Sequence, residues 1–451
     1  MTDFFGSVWW LFVALGVLVT FHEFGHFWVA RRAGVKVLRF SIGFGPALWS
    51  HRARDGVEYV LAALPLGGYV KMLDEREGDV DPRDLAGAFN RKSAWTRIAI
   101  VAAGPVANLV LCVLLLWAMF VIGRPDYLPV AGTVEGLAQQ AGIRPGDTLL
   151  SIDGRATPTW TEAAYALLPA ALDRKNVPVR IRSPNGAEST RTLQLARLPP
   201  EFDERQAIAL AGIMPRHFLA TTHVGDVAAR SPAANVLQSG DRIVRVDGTP
   251  VTSFEAIAPL VQRAASRDGG VGVAFEREGQ LRNARVVPTR SDDAGPARWI
   301  LGIGPSRKEA VPDALLRYGP IEAVPRAMTE AVYQARQLFA MVGRAFTGAV
   351  SLRNTVGGPV TIGKAANEFA GRGVAWFLSL LAMLSLSLGI LNLLPVPILD
   401  GGHLLYYLIE LVKGSPVSER VMAAGQMVGL ALIAGLMGLA FYNDIVNHLL
   451  R

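Results

Sequence analysis

The chain has 451 residues, 51% of them hydrophobic, with a mean hydropathy of +0.30, which is too apolar for an ordinary soluble protein of this size and makes a membrane protein the better reading. The formal charge of +7 and pI of about 9.7 come without a zinc knuckle, basic helix or aromatic-interleaved basic motif, so no nucleic-acid partner is expected. The single cysteine, Cys112, lies in an apolar run and leaves neither an intramolecular disulfide nor a thiolate metal site.

Four segments are apolar over the roughly 20 residues that a bilayer crossing needs: about Phe4 to Ala30, Ile98 to Ile122, Val374 to Leu394, and Val421 to Tyr442. The first has an acid rather than a basic start in Met1-Thr2-Asp3 and no A-x-A site after it, so it is expected to stay in the mature protein. It contains His22-Glu23-Phe24-Gly25-His26, an H-E-x-x-H pattern. Residues four apart share a helix face, so both imidazoles can turn to one Zn²⁺ with Glu23 beside it, placed to take a proton from a water. Two imidazoles and a carboxylate in an apolar span are costly unless partnered. The bland alternative has the histidines bonded to neighbouring helices and Glu23 paired with an arginine, which leaves the metal-site spacing unexplained.

After this span come Arg31, Arg32, Lys36 and Arg39, and before the second come Arg91, Lys92 and Arg97; Lys413 and Arg420 fall between the third and fourth. That side is expected to be cytoplasmic, with both termini outside. The stretch 38–73 holds short β-prone runs broken by Gly and Pro, including Phe40 to Pro46 with Gly43, and Leu64-Pro65-Leu66-Gly67-Gly68-Tyr69-Val70. Hairpin strands dipping into the membrane and bordering a site fit this pattern, because irregular backbone survives at that depth only beside protein or a wet cavity.

Between about 125 and 310, Gly146-Asp147-Thr148 to Asp153-Gly154 is echoed by Gly240-Asp241-Arg242 to Asp247-Gly248, which implies two similar domains. The repeated G-D-x-[LI]-x-x-[IV]-D-G resembles the PDZ fold, with another small β-rich repeat as the alternative. From about Val311 to Phe346 apolar residues recur at helical spacing beside Arg326, Glu330, Arg336 and Arg344, as in an amphipathic helix at the outer interface or a plain connector.

The third span ends in Asn392-Leu393-Leu394-Pro395-Val396-Pro397-Ile398-Leu399-Asp400-Gly401-Gly402-His403. Two prolines interrupt the helix and two glycines allow close backbone approach. A catalytic zinc wants three protein ligands and an open position, and Asp400 is the best third one. A helix-ending Asp-Gly turn is the plain alternative, and His403 is a weaker competitor.

In order along nearly the whole chain, H-E-F-G-H, G-F-G-P, L-P-L-G-G-Y-V-K-M, Ala103-Gly104-Pro105-Val106-Ala107-Asn108, the paired repeats and N-L-L-P-V-P-I-L-D-G-G resemble the site-2 protease family of intramembrane zinc metalloproteases, specifically bacterial regulators of sigma-E with tandem PDZ domains. The resemblance implies His22, His26 and Asp400 as zinc ligands and Glu23 as general base. It places Asn392, Pro395 and Pro397 along the substrate's path, and Gly43, Gly67 and Gly68 belong to the β-like segment expected to bind an unwound substrate strand by edge addition. It implies a two-step stress pathway, in which an outer protease trims a single-span anti-sigma factor and this enzyme cuts the remnant, with signal peptides as further candidate substrates. Neither repeat shows a clear G-Φ-G-Φ carboxylate-binding loop, which argues for exclusion of bulky substrates over capture of a free C-terminus.

The expected molecule is a polytopic protein of the bacterial inner membrane: four transmembrane helices, a membrane-associated β-hairpin segment and two outward-facing PDZ-like α+β domains. Its parts are 1–126 (two spans, H-E-x-x-H, β-like segment), 127–216 and 217–308 (PDZ-like), 309–372 (interfacial connector) and 373–451 (two spans, third ligand). The PDZ-like domains and termini would be periplasmic and the active site would open toward the cytoplasm. Zn²⁺ is the only cofactor expected, with no small-molecule cofactor. A membrane-anchored PDZ scaffold is the main competing class and a transporter a weaker one, since four spans without an inverted repeat give little pathway.

Overall fold

A computed structural model describes residues 2–448 apart from 200–201, 203–205, 266–269, 292–297, 307–309, 349 and 351–356. Two units emerge, Met1–Arg124 with Leu316–Arg451, and Pro125–Leu315.

The first unit is helical. Helix α1 (Thr2–Arg32) has no proline, ends on Arg31 and Arg32, which suit the negative end of its dipole, and stops at Gly34 with φ of +67°. Helix α2 (Ala94–Ile122) starts where the Ser93 hydroxyl accepts from the Thr96 amide at 3.2 Å. Past the second unit come α3 (Ala323–Phe346), α4 (Pro359–Gly371), α5 (Val374–Leu393), α6 (Asp400–Lys413) and α7 (Glu419–His448). Among the described residues, four helices are long and apolar enough to cross a membrane, over Asp3–Arg32, Ala94–Ile122, Val374–Leu393 and Glu419–Val446. The link expected between the last two spans is therefore largely a helix of its own, α6.

Helix α2 is central. Leu116, Met119 and Phe120 pack with Leu386 and Ile390 of α5 and with Ala323, Ala327 and Ala331 of α3. On the flank of α3 next to that face, Val324, Met328, Val332 and Phe339 are exposed, and the polar Arg326, Glu330 and Arg336 occupy the remaining side. Ala14 and Leu18 of α1 meet Phe377 and Leu381 of α5.

Strands β1 (Val37–Arg52) and β2 (Glu58–Met72) pair with each other. Their register is folded: residues 39–42 lie opposite both 71–68 and 58–61, and 47–52 lie opposite 62–58. Each strand bends midway, β1 at Gly43 and Gly45, whose φ angles are +91° and +90°. The result is a sheet of four short segments with Gly68–Met72 along one border, and Phe27, Ala30, Val37, Phe40 and Ile100 bury its base against α1 and α2.

The second unit holds two four-stranded antiparallel sheets of matching design. One comprises Thr148–Ile152, Arg155–Ala156, Val177–Arg182 and Glu188–Leu193, and the other Arg242–Val246, Thr249–Pro250, Val271–Arg277 and Gln280–Val286. Each sheet has its own apolar core, around Leu149, Ile152 and Val179 in the first and Ile243, Val246 and Val273 in the second. Asp153 and Asp247, at equivalent turns, have φ of +49° and +48° before a glycine, which explains the repeated Asp-Gly. The expected boundary at 308 and 309 falls outside the described residues.

Candidate metal centre

His22 and His26 stand one turn apart on α1, 9% and 8% exposed, and buried imidazoles need partners. Their Nε2 atoms are 3.2 Å apart. Asp400, the first residue of α6, brings Oδ2 to 3.1 Å from His22 Nε2 and 3.5 Å from His26 Nε2.

The triangle has the donor chemistry of a metal site. His26 Nδ1 lies 2.9 Å from the Ile100 carbonyl, which can only accept, so the neutral ring carries its proton there and turns a lone pair at Nε2 toward the others. The Asp400 Oδ2 atom is buried and faces the two imidazole nitrogens. Three donor atoms separated by 3.1–3.5 Å match the edges of a tetrahedron around a zinc with bonds of ~2.0–2.1 Å, which are about 3.3–3.4 Å long. Among the described residues these three form the one group of His, Cys, Asp and Glu able to hold a metal, so the donor set fits zinc.

Helix α2 supplies the supports. Asn108, fully buried, sets its side-chain amide 3.2 Å from His22 Nδ1; with its oxygen, otherwise buried without a partner, turned to accept from Nδ1–H, the ring keeps a lone pair at Nε2, and Ser385 of α5 donates to the Asn108 backbone carbonyl at 2.8 Å. A Cβ on Gly104 would lie 2.2 Å from His26 Nε2, and one on Gly25 2.3 Å from the Ala103 carbonyl, so missing side chains let the two helices meet at the site. Sequence reasoning noticed the stretch 103–108 but gave these residues no role. The hint was a small-residue run ending in an asparagine inside an apolar span.

Glu23 lies between the cluster and the sheet. The Val70 backbone amide faces its carboxyl group, and a Cβ on Gly68 would come within 3.1 Å of its Cγ. Gly68 thus joins His22, Glu23, His26 and Asp400. Gly43 and Gly67 do other work: Gly43 abuts the Leu64 and Ala62 carbonyls, and Gly67 makes room for the Phe44 ring.

Leu394 is extended, and the chain then returns to α6 through turns containing Pro395 and Pro397, with the Val396 amide donating to the Leu394 carbonyl at 2.7 Å, the Leu399 amide to the Val396 carbonyl at 3.0 Å, and Ile398 held at φ of +102°. Bare Gly401 and Gly402 let the start of α6 fold under the Leu394 and Val396 carbonyls. The plain alternative for Asp400, a helix-ending turn, is thereby replaced by a helix start. Asn392 is half-buried in the last turn of α5, and its side-chain amide hydrogen-bonds no other described residue. His403 stands one turn beyond Asp400, outside the cluster, and burial holds its pKa below the usual histidine value.

Comparison with known proteins turns this geometry into an identification. The profile of Peptidase family M50 matches residues 10–436. The chain belongs to that family. Regulator of sigma-E protease RseP of Escherichia coli is 42% identical over 441 residues, 96% of each chain. Its Salmonella typhimurium namesake is 41% identical over 439 residues, again 96% of each. A Xylella fastidiosa protein provisionally named a zinc metalloprotease is 52% identical over 449 residues, 99% of this chain and all of its own. Among solved structures, the PDZ domain of an SdrC-like protein from Listeria monocytogenes matches 19% of this chain and 87% of its own length, at 25% identity and a TM-score of 0.17. This M50 peptidase is a zinc metalloprotease, and His22, His26 and Asp400 are placed to bind the ion.

Proposed function

We propose that the chain is an endopeptidase of the bacterial inner membrane that cuts single-span membrane proteins within the bilayer, with His22, His26 and Asp400 as zinc ligands and Glu23 as general base. The observation that carries this reading is the convergence of three lone-pair donors from two separate helices, one of them a candidate span, with a carboxyl group beside them. A scaffold or transporter role gives no reason for three ligand atoms to meet at the spacing of a metal site.

Bound zinc would supply Lewis acidity and bring the pKa of a coordinated water toward ~7. Glu23 accepts the proton of the attacking water and later returns it to the leaving amine. Among the described residues, segment Gly68–Met72 has no strand partner on the side away from β1, and it runs past Glu23, so a substrate unwound into a strand can add there. Asn392, with a free amide, holds the same strand from the other side, and Pro395 and Pro397 keep the neighbouring chain open for it. Gly43 and Gly67 shape the sheet that presents the edge.

The positive residues at 31–39, 91–97, 413 and 420 support a cytoplasmic location for that side and a periplasmic one for the repeat unit, read as a pair of PDZ-like domains. There the pair would exclude substrates whose outer domains are intact. Relatives named for sigma-E regulation point to a trimmed anti-sigma factor as substrate and to an envelope stress response as outcome. The test is Glu23→Gln in the full chain: zinc content is retained and cleavage of a single-span substrate falls by ~10³-fold or more, since an amide cannot take the proton. Turnover near wild type would remove Glu23 from the chemistry.

A further inference from the structure

Asp400 is carried by α6, whereas its two partners are carried by α1, so something must fix one helix against the other. Helix α2 already holds both histidine rings through Ile100 and Asn108. Arg97, one turn before Ile100, reaches from the same helix to α6: its Nη2 donates to Glu410 Oε1 at 2.6 Å, and its guanidinium lies 4.7 Å from the centroid of the Tyr407 ring. Its Nε also donates to the Lys92 carbonyl at 3.1 Å, so the side chain is anchored at its root. The pair is 11% and 17% exposed, which separates it from the half-exposed ion pairs elsewhere on this unit. An exposed pair would fix little; a shielded guanidinium held by three partners fixes the position and rotation of α6.

We infer that Arg97, through Glu410 and Tyr407, is a positioning residue that sets Asp400 against His22 and His26 and so sets the zinc affinity of the site. Glu410 lies about 15 Å along α6 from Asp400, a lever over which a small tilt shifts the carboxylate by about an ångström. The bare glycines under the 393–396 carbonyls and the turn hydrogen bonds of that loop hold the start of α6, and the clasp holds its far end. Together they set the angle at which Asp400 meets the two histidines. This inference rests on Asp400 being a ligand.

The experiment is chelator competition for zinc on the full-length protein in detergent, together with thermal unfolding of the zinc-free form. Arg97→Gln and Glu410→Gln should each weaken zinc binding by ~10-fold or more, the scale seen when groups that orient ligands are removed, with little change in unfolding of the zinc-free form. Arg97→Glu combined with Glu410→Arg should recover much of the loss. Should Arg97→Gln fail to fold, Arg97→Lys decides, because it keeps the charge but loses the flat stacking and the Nε bond, and a several-fold loss is expected. Zinc affinity within about two-fold of wild type in these variants, or no recovery in the reversed pair, overturns the inference. If Asp400→Ala itself keeps full zinc affinity, the ligand assignment has failed; if Asp400→Ala loses zinc and Arg97→Gln does not, the clasp alone has.

Discussion

Replacing Gly104 with alanine would test the packing around the centre with one methyl group. The new Cβ would sit 2.2 Å from His26 Nε2, 2.5 Å from Cε1 and 2.8 Å from Cδ2. Comfortable contacts between such atoms are ~3.5 Å, so the ring must retreat by about 1 Å or the helices must separate. Retreat is resisted because Nδ1 is tied at 2.9 Å to the Ile100 carbonyl, one turn earlier on the same helix. Zinc–ligand distances tolerate about 0.2 Å, and disturbing the groups that orient a ligand costs ~10–100-fold in metal affinity. Gly104→Ala should therefore lower zinc affinity by about 100-fold and stability by about 1–3 kcal/mol as an overpacked contact. Zinc per protein after purification, chelator competition and thermal unfolding are the measurements. Gly371→Ala, where a Cβ would meet nothing within 4 Å, is the control. A folded Gly104→Ala protein holding stoichiometric zinc at wild-type affinity would refute the geometry of α1 against α2.

Asn392→Ala should keep zinc and stability but reduce cleavage by about ten-fold, more for firmly helical substrates than for those weakened by Gly or Pro; equal losses that track falling stability would make Asn392 structural. Deleting about 127–308 should preserve zinc and permit cleavage of substrates with bulky outer domains, whereas loss of all activity in a zinc-loaded deletion would make that region a substrate binder. In the second sheet, burial works against the charge of Asp241, but hydrogen bonds from Arg277 at 2.8 Å and the Gln238 amide at 2.8 Å outweigh it and hold its pKa below the usual value. That stabilisation is present above the ordinary carboxylate pKa of ~4 and lost as pH falls through the lower folded value, so Asp241→Asn should cost about 2–3 kcal/mol at pH 7 and flatten the acid limb of a stability profile. An unchanged acid limb would contradict it.

How much was readable in the sequence depended on how local each feature is. The i, i+4 histidines follow from helix periodicity alone, and the four spans follow from unbroken apolar runs. Asp400 was readable because prolines and glycines in an apolar segment mark a break with a purpose, although the helix that starts there was not. The supports escaped because they are defined by what packs across from them: a backbone carbonyl at Ile100, a missing methyl at Gly104, an amide at Asn108. Nothing near those positions in sequence announces a histidine about 80 residues away. The β segment was recognised by composition, but its doubled register depends on where Gly43 and Gly45 turn, and turns of that kind leave only glycine as a clue.

The central claim is that two histidines and one carboxylate from separate helices hold a single zinc. Zinc K-edge X-ray absorption on the purified full-length protein tests it most directly, with Asp400→Ala measured alongside. The account predicts one zinc per chain with two imidazoles and oxygen ligands at ~2.0–2.2 Å, and zinc that is lost or loses an oxygen ligand in Asp400→Ala. A sulfur ligand, fewer than two imidazoles, or an identical spectrum and zinc content in Asp400→Ala would contradict it.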